Sequence, residues 1–381
     1  AAPKKSTRNC PATACGRIRP TPFSPVTPLI YVHANSIDAI LKSSYLHQPS
    51  NALVPAILGA LSLLFGWLFV VLSVPAALLV MTLSVLIIGA TQQTLFVVLK
   101  MSTPSSIALF LPPAAYLAIA SYRYVFLERR TREREKELAV ARDIQRRLLP
   151  SGPPRREGLD IFGANLPAQE VGGDYYDWIP MRDGSLVVVI GDVAGKGVSA
   201  ALLMSNLQAL CHAETHDGST PGSIIEALNA ALYRSTDAMR YATIFLAIIA
   251  QGADEIVYAN GGHNPGLLVR DGRIDTLGTT GLSVGLFEDG GYQEARVSFL
   301  PEDLLVLYSD GITECARKDV LYGEERLKGL VLALAGSSRS AAEIGQSILD
   351  DVLLFSRDER YADDITLVVV RRAATPAGQG G

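Results

Sequence analysis

The chain has 381 residues, enough for more than one domain, and its 34 basic against 38 acidic side chains leave a formal charge of −4. That near balance argues against a nucleic-acid partner. Mean hydropathy is nevertheless positive, +0.24, and the excess is local. Residues 1–28 are rich in Pro, Thr and Ser and read as loop. "YVHANSIDAILKSSYL" (Tyr31–Leu46) reads as a helix, with Ile37, Ile40 and Leu41 at helical spacing. From Lys42 to Lys100 no charged residue intervenes, and the next charge after Lys100 is Arg123. A spanning helix needs about 20 apolar residues, so these stretches hold roughly three spans, at 52–73, 76–99 and 106–127, with breaks at Pro75 and around Lys100–Ser106. Soluble cores rarely exclude charge for so long.

Arg123, Arg129, Arg130, Arg132 and Arg134 follow the third span directly. Basic flanks stay cytoplasmic, so the sequence predicts a multi-pass protein of the inner (plasma) membrane, with residues 1–50 outside and everything after about 128 inside. Cys211 and Cys315 then fall on the reducing side as thiols, whereas Cys10 and Cys15 either pair or stay free on the oxidising side. The chain begins with Ala1 and has no signal peptide, which reads as a fragment of a longer protein.

Residues 128–150, "ERRTREREKELAVARDIQRRLLP", form a charged amphipathic helix, and Ala141, Ile144 and Leu148 are spaced as in a coiled-coil seam. Two readings stand: a solvated helix, or a connector that makes a homodimer and transmits rearrangements from the membrane side. Pro150, Pro153 and Pro154 end it.

From about 158 the pattern changes. "SLVVVIGDV", "YATIFLAIIA", "EIVYAN", "LLVLYSD" and "ITLVVVR" are apolar, β-branched and bounded by Gly or Asp, so strands. "VSAALLMSNLQAL" is helical. "TPGSIIEALNAALYR" starts with a Thr220 cap and Pro221, and "SAAEIGQSILDDVLLF" with a Ser340/Glu343 capping box. Strands outnumber helices and do not alternate with them, which predicts an α+β class: a β-sandwich with helices outside, over 151–372, then a disordered tail at 373–381. The glycine-rich turn in "VVVIGDVAGKGVSAALLMS" is no P-loop. Only Asp192, Val193 and Ala194 separate Gly191 from Gly195, and Gly197 stands where a hydroxyl residue is required.

Aspartates sit at strand ends: Asp192 after "LVVVIG", Asp310 after "LLVLYS", Asp363 and Asp364 before "ITLVVV", and Asp174 in "EVGGDYYDW". One such Asp is usually a turn residue. Several converging, with Lys196 the one basic residue beside them, need a counter-ion, and hard oxygen donors select Mg2+ or Mn2+. Adjacent strand residues face opposite sides, so Asp363 and Asp364 cannot both face one centre, and Asp177 should point away from Asp174, behind the centre or on the surface.

"GGDYYDW", "GDVAGKGVSAALLMS", "YATIFLAII", "ANGGHNPGLL", "LYSDGITE" and "DDITLVVV" occur in an order that resembles the metal-dependent protein phosphatase 2C family, in its bacterial branch of stage-II sporulation phosphatase E and the stress sigma-factor regulators. The resemblance covers about 138–371, including "IQRRLLP". The helix around Tyr31–Leu46 is similar to the closing helix of CHASE-type (second type) extracytoplasmic sensors, which precede three membrane spans.

The phosphatase resemblance implies a two-ion Mn2+ or Mg2+ centre. Asp192 bridges the ions, the Val193 carbonyl adds a ligand, and Asp174, Asp310 and Asp363 supply the other carboxylates. Such a pair, about 3.5–4 Å apart, activates a water for in-line attack on phosphorus, without a protein nucleophile. The implied reaction is hydrolysis of phosphoserine or phosphothreonine on a regulatory protein of the anti-anti-sigma type. Lys196 reads either as approaching the phosphate or as a solvated side chain, and His263 either as a proton donor or as packed in a turn. Arg155 and Arg156 cannot be aligned with the arginine that grips phosphate in the eukaryotic branch. Two rivals stand beside this reading: a catalytically silent transmembrane receptor or scaffold, and a diguanylate cyclase suggested by "GGDYY", which lacks the Glu-Phe that cyclases carry.

Overall fold

The computed structural model describes residues 18–21, 24–41, 53–98, 106–235, 240–252, 254–357 and 361–373. Cys10, Cys15 and the tail beyond Ala373 lie outside them. The chain forms two compact units, Ala1–Arg132 and Glu133–Gly381.

In the first unit, β1 (Ile18–Thr21) and β2 (Ser24–Pro28) make an antiparallel hairpin that leads into α1 (Leu29–Leu41). This helix covers the start of the expected segment; residues 42–46 are not described. Then come α2 (Leu53–Val71), α3 (Val74–Val97) and α4 (Ser106–Leu148). Among the described residues, α3 alone is long and apolar enough to cross a bilayer, with 24 residues and a hydropathy of 2.2 over its best window. The expected three spans are corrected to this one candidate. The apolar stretch of α2 runs only over Ala56–Val71. In α4, Arg123 interrupts the apolar run, and its Nη1 donates to the carbonyls of Leu72 at 2.8 Å and Phe69 at 3.5 Å. The expected third span and linker are one continuous helix of 43 residues, stopped by Pro150 just beyond its end.

The second unit begins within α4. Its strands are β3 (Leu159–Leu166), β4 (Tyr175–Pro180), β5 (Leu186–Val193), β6 (Ala242–Ile249), β7 (Glu255–Gly261), β8 (Gly266–Arg270), β9 (Arg273–Leu277), β10 (Ala295–Ser298), β11 (Leu304–Tyr308), the small hairpin β12 (Ala316–Arg317) and β13 (Val320–Leu321), and β14 (Ile365–Arg372). Its helices are α5 (Val198–Glu214), α6 (Pro221–Ser235), α7 (Asp310–Thr313), α8 (Glu324–Ala335) and α9 (Ala341–Ser356). Two antiparallel five-stranded sheets form, ordered β10-β7-β6-β5-β4 and β3-β14-β11-β8-β9.

The strands read as continuous apolar runs because both faces are buried. In β5, Val188 and Ile190 join Trp178, Phe245, Leu305, Leu307 and Val368 in the layer between the sheets. The alternate residues Val187 and Val189 pack outward on Leu207, Ile224 and Leu228 of α5 and α6. On the other sheet, Val306, Leu367 and Val369 pack on Leu327, Val331, Ile344 and Ile348 of α8 and α9. The result is a sandwich with a helix pair on each outer face.

The helix caps follow the sequence. Ser223 N donates to Thr220 Oγ1 at 3.3 Å ahead of Pro221. At α9, Glu343 N donates to Ser340 Oγ at 3.2 Å and Ser340 N to Glu343 Oε2 at 2.8 Å. Removing the hydroxyl in Ser340→Ala should cost about 1 kcal/mol. For a domain of this size that lowers the melting temperature by about 2–4 °C, as read by circular dichroism. The helix α8 had no sequence expectation, since its Gly323 start carries no capping side chain.

Candidate functional site

The acidic residues meet at one end of the sandwich. Asp192 closes β5 in the first sheet, and Asp174 lies just before the neighbouring β4. Asp310 follows β11 as the first residue of α7, and Asp363 precedes β14, both from the second sheet. Thr366 Oγ1 ties the two sheets together here, donating to Asp174 Oδ2 at 2.5 Å.

These groups act on one another electrostatically. Burial first, then the charges of Asp192 and Asp364, holds the Asp174 carboxyl well above the usual range. Burial, then Asp310 and Asp363, pushes Asp192 up to about 7. Asp310 is raised by burial, Asp363 and Glu314. An excess of negative charge shared among Asp174, Asp192, Asp310 and Asp363 is what a bound cation relieves.

The loops leave little room. A Cβ on Gly173 would stand 2.9 Å from the Val193 carbonyl oxygen and 3.4 Å from Asp192 Oδ1, so only glycine lets the chain pass so close to both. Gly195 (φ 109°) and Gly197 (φ 72°) then turn the chain from β5 into α5. A small pit beside them is lined by Gly172, Gly173, Lys196, Asp363 and Asp364, and Asp174, Asp192 and Asp310 are not part of its lining. Hard oxygen donors and excess negative charge are the chemistry that suits divalent cations. Among the described residues no group of three or more Asp, Glu, His or Cys side chains is placed so that it could hold a metal ion.

The pairing at "DD" follows strand alternation. The Asp363 side chain is about one-third exposed and faces the cluster. Asp364 turns inward, accepting from Ala168 N at 2.7 Å through Oδ1, and from Gly173 N at 2.7 Å and Asp174 N at 3.4 Å through Oδ2. It therefore shapes the loop that carries Asp174. Asp177 does point away: it is buried, accepting from Tyr175 Oη at 3.0 Å and lying 2.7 Å from His212 Nε2.

The other expectations have mixed outcomes. Lys196 is not a free solvated side chain. Its Nζ pairs with Asp363 Oδ2 at 2.8 Å and donates to the Ala362 carbonyl at 2.5 Å. Arg156 donates to the Ser185 carbonyl at 2.7 Å, so it braces the β4–β5 hairpin. His263 is buried, and its Nδ1 lies 2.8 Å from Thr243 Oγ1. Burial lowers its pKa to about 4, which keeps the ring neutral. Cys211 and Cys315 are buried free thiols. In α4, Val140 and Ile144 are exposed whereas Ala141 and Leu148 are half-buried, so the apolar stripe left open differs from the expected seam. Thr366 and Gln145 had no expectation at all: a Thr inside a strand and a Gln inside a helix look like ordinary filler in sequence.

Residues 182–373 match the family model described as Stage II sporulation protein E (SpoIIE). The chain belongs to this family of PP2C-type protein serine/threonine phosphatases. It is 32% identical over 242 residues to the phosphoserine phosphatase RsbU of Bacillus subtilis (strain 168), covering 63% of this chain and 71% of that protein. It is 29% identical to the phosphoserine phosphatase RsbP of the same organism, over 47% of this chain and 46% of RsbP. Among solved structures, the RsbU and RsbW domains of a Mycobacterium tuberculosis protein superpose with a TM-score of 0.53 at 28% identity, over 60% of this chain and 64% of theirs. The SiaA-PP2C domain of Pseudomonas aeruginosa gives 0.54 at 19% identity, over 63% of this chain and 98% of that domain, a likeness of fold. The family match lies wholly within the second unit.

Proposed function

We propose that the chain is a membrane-anchored, metal-dependent phosphatase that removes phosphate from serine or threonine of a regulatory protein of the anti-anti-sigma type. The observation that carries this reading is the gathering of Asp174, Asp192, Asp310 and Asp363 from both sheets, with three of the carboxyls raised in pKa by one another and by burial. These carboxylates and the Val193 carbonyl would hold two Mn2+ or Mg2+ ions. Bound ions of this kind supply an activated water and neutralise phosphoryl charge. The protein's own groups do the rest. Asp364 and Thr366 fix Asp174 by hydrogen bonds. Lys196 sits at the rim, half exposed, where it meets an incoming phosphate once it leaves Asp363. Among the described residues, Cys211, Cys315 and His263 are buried and so out of reach of a substrate.

A protein substrate is supported by a cleft of about 1000 Å3 beside Gly197, lined by Leu138, Arg142, Gln169, Val198, Leu353 and Tyr361. Membrane anchoring is supported by α3 and by the large apolar side chains that α2 and α3 leave uncovered, among them Leu63, Trp67, Leu79, Leu86 and Ile87. The basic cluster after Arg123 supports a cytoplasmic phosphatase domain at the inner (plasma) membrane. Exposed Val140 and Ile144, one turn apart on α4, support a homodimer through that helix.

The deciding experiment incubates the purified chain with a phosphoserine peptide, with and without Mn2+. Phosphate released only with metal is the expected result. No release at any Mn2+ concentration would move the reading to the silent receptor or scaffold, and a cyclic dinucleotide formed from GTP would move it to a cyclase.

A further inference from the structure

The start of α3 marks a level in the first unit. The turn that leads into it leaves the last carbonyls of α2 without helical donors. Arg123 of α4 supplies one: its Nη1 donates to the Leu72 carbonyl at 2.8 Å and reaches that of Phe69 at 3.5 Å. Packing backs the contact, since Phe69 is 1% exposed and meets the Tyr116 ring edge-on, with centroids 5.8 Å apart. Neither an open turn nor a guanidinium is stable in hydrocarbon, so with α3 as the span the edge of the apolar layer passes here. From this edge the 24 residues of α3 reach about 36 Å, enough to cross a hydrocarbon core of about 30 Å.

Aromatic side chains gather at the same level. Tyr122 and Tyr124 flank Arg123 and are 69% and 68% exposed, and Trp67, about one turn before the end of α2, is exposed as well. Amphipathic rings of this kind favour the headgroup boundary. Further along α4 charge takes over, and residues 122–132 hold four arginines against one glutamate. Tyr122, Phe126 and Arg130 follow one another at four-residue steps. The two rings stack with centroids 6.0 Å apart, and the Arg130 guanidinium lies 4.5 Å over Phe126. Arg132 pairs with Glu128, whereas Arg129 and Arg130 are exposed. Charge alone would fit a solvated helix, but uncovered rings one turn before it do not. A face that begins aromatic and ends cationic complements a lipid layer that is apolar within and anionic at its phosphates.

We propose that residues 122–132 of α4, together with Trp67 of α2, form a binding site for anionic phospholipid headgroups, seated at the bilayer boundary that Arg123 marks. The inference rests on the reading of the chain as membrane-anchored and is independent of the phosphatase chemistry.

The chain carries its own probe, because Trp67 and Trp178 are its two tryptophans and Trp178 is buried in the inter-sheet core. The test reconstitutes the full chain into phosphatidylcholine vesicles that carry brominated phosphatidylglycerol or brominated phosphatidylcholine at one common mole fraction. Trp67 emission is then quenched by neighbouring lipid over a constant Trp178 background. Brominated phosphatidylglycerol should quench Trp67 about two- to threefold more than the neutral lipid, and added salt should shrink the excess. Bromines near the headgroup should quench better than bromines near the chain ends. The triple variant Arg129→Gln/Arg130→Gln/Arg132→Gln should lose the anionic excess and keep the neutral quenching, which also reports that it has inserted. Arg273→Gln, an exposed arginine of the second unit, should change neither. Equal quenching by both lipids in the wild type, an excess retained by the triple variant, or stronger quenching from the chain ends overturns the proposal. Failure of the anchoring reading looks different: neither brominated lipid quenches Trp67 at all.

Discussion

Asp192→Asn should reduce metal-dependent phosphate release at least about 1000-fold, roughly 4 kcal/mol of transition-state stabilisation, while the domain stays folded. Asp192 stands where both sheets contribute carboxylates, and its environment has already raised its pKa to about 7 through burial, Asp310 and Asp363. An amide keeps the shape and removes the charge that a cation needs. The same pKa gives the variant a second signature. In the unfolded chain an aspartate titrates near about 4, so between about pH 4 and 7 the metal-free native state holds a proton that the unfolded state has released. Stability then falls as pH rises through that window. Asn lacks this contribution, so its metal-free melting temperature should decline less steeply from pH 4 to 7 and match or exceed that of wild type above 7. For the wild type, a cation must displace that proton, so the Mn2+ concentration for half-activation should drop between pH 6 and 8. Turnover by Asp192→Asn within tenfold of wild type would remove Asp192 from the centre.

Asp364→Ala should give the largest loss of stability. Asp364 is 6% exposed and accepts from three backbone N–H groups, those of Ala168, Gly173 and Asp174. Truncation leaves these donors buried and unpaired, at a cost of about 3–5 kcal/mol. Relief of the repulsion that Asp364 exerts on Asp174 and Asp192 offsets part of this. The melting temperature of the second unit should fall by roughly 10 °C, and Asp364→Asn, which retains an acceptor oxygen, should recover about half of that. A shift below about 2 °C would mean that the loop is held by other contacts.

Much of the second unit was legible along the chain. The runs at 186–193, 304–308 and 365–372 read as strands because burial on both faces selects apolar, β-branched residues at every position. Thr220 and Ser340 announced their helices because capping is a contact between residues three apart. The first unit was less legible. A charge-free stretch shows that apolar residues accumulate, but helix length depends on where turns fall, and Arg123 closing onto Leu72 depends on how the helices pack.

By itself, the sequence determined which chemical groups are present and where the strands and caps lie, because those properties depend on neighbours a few positions apart. Strand alternation also required Asp363 and Asp364 to point in opposite directions. Only the tertiary structure decided which of them grips the backbone, that Lys196 closes onto Asp363, and that Gln145 reaches Gly172. Those partners lie far apart in the chain, 192 positions in the case of Thr366 and Asp174. The packing of two sheets and a helix end sets such distances, and no local pattern of residues encodes them.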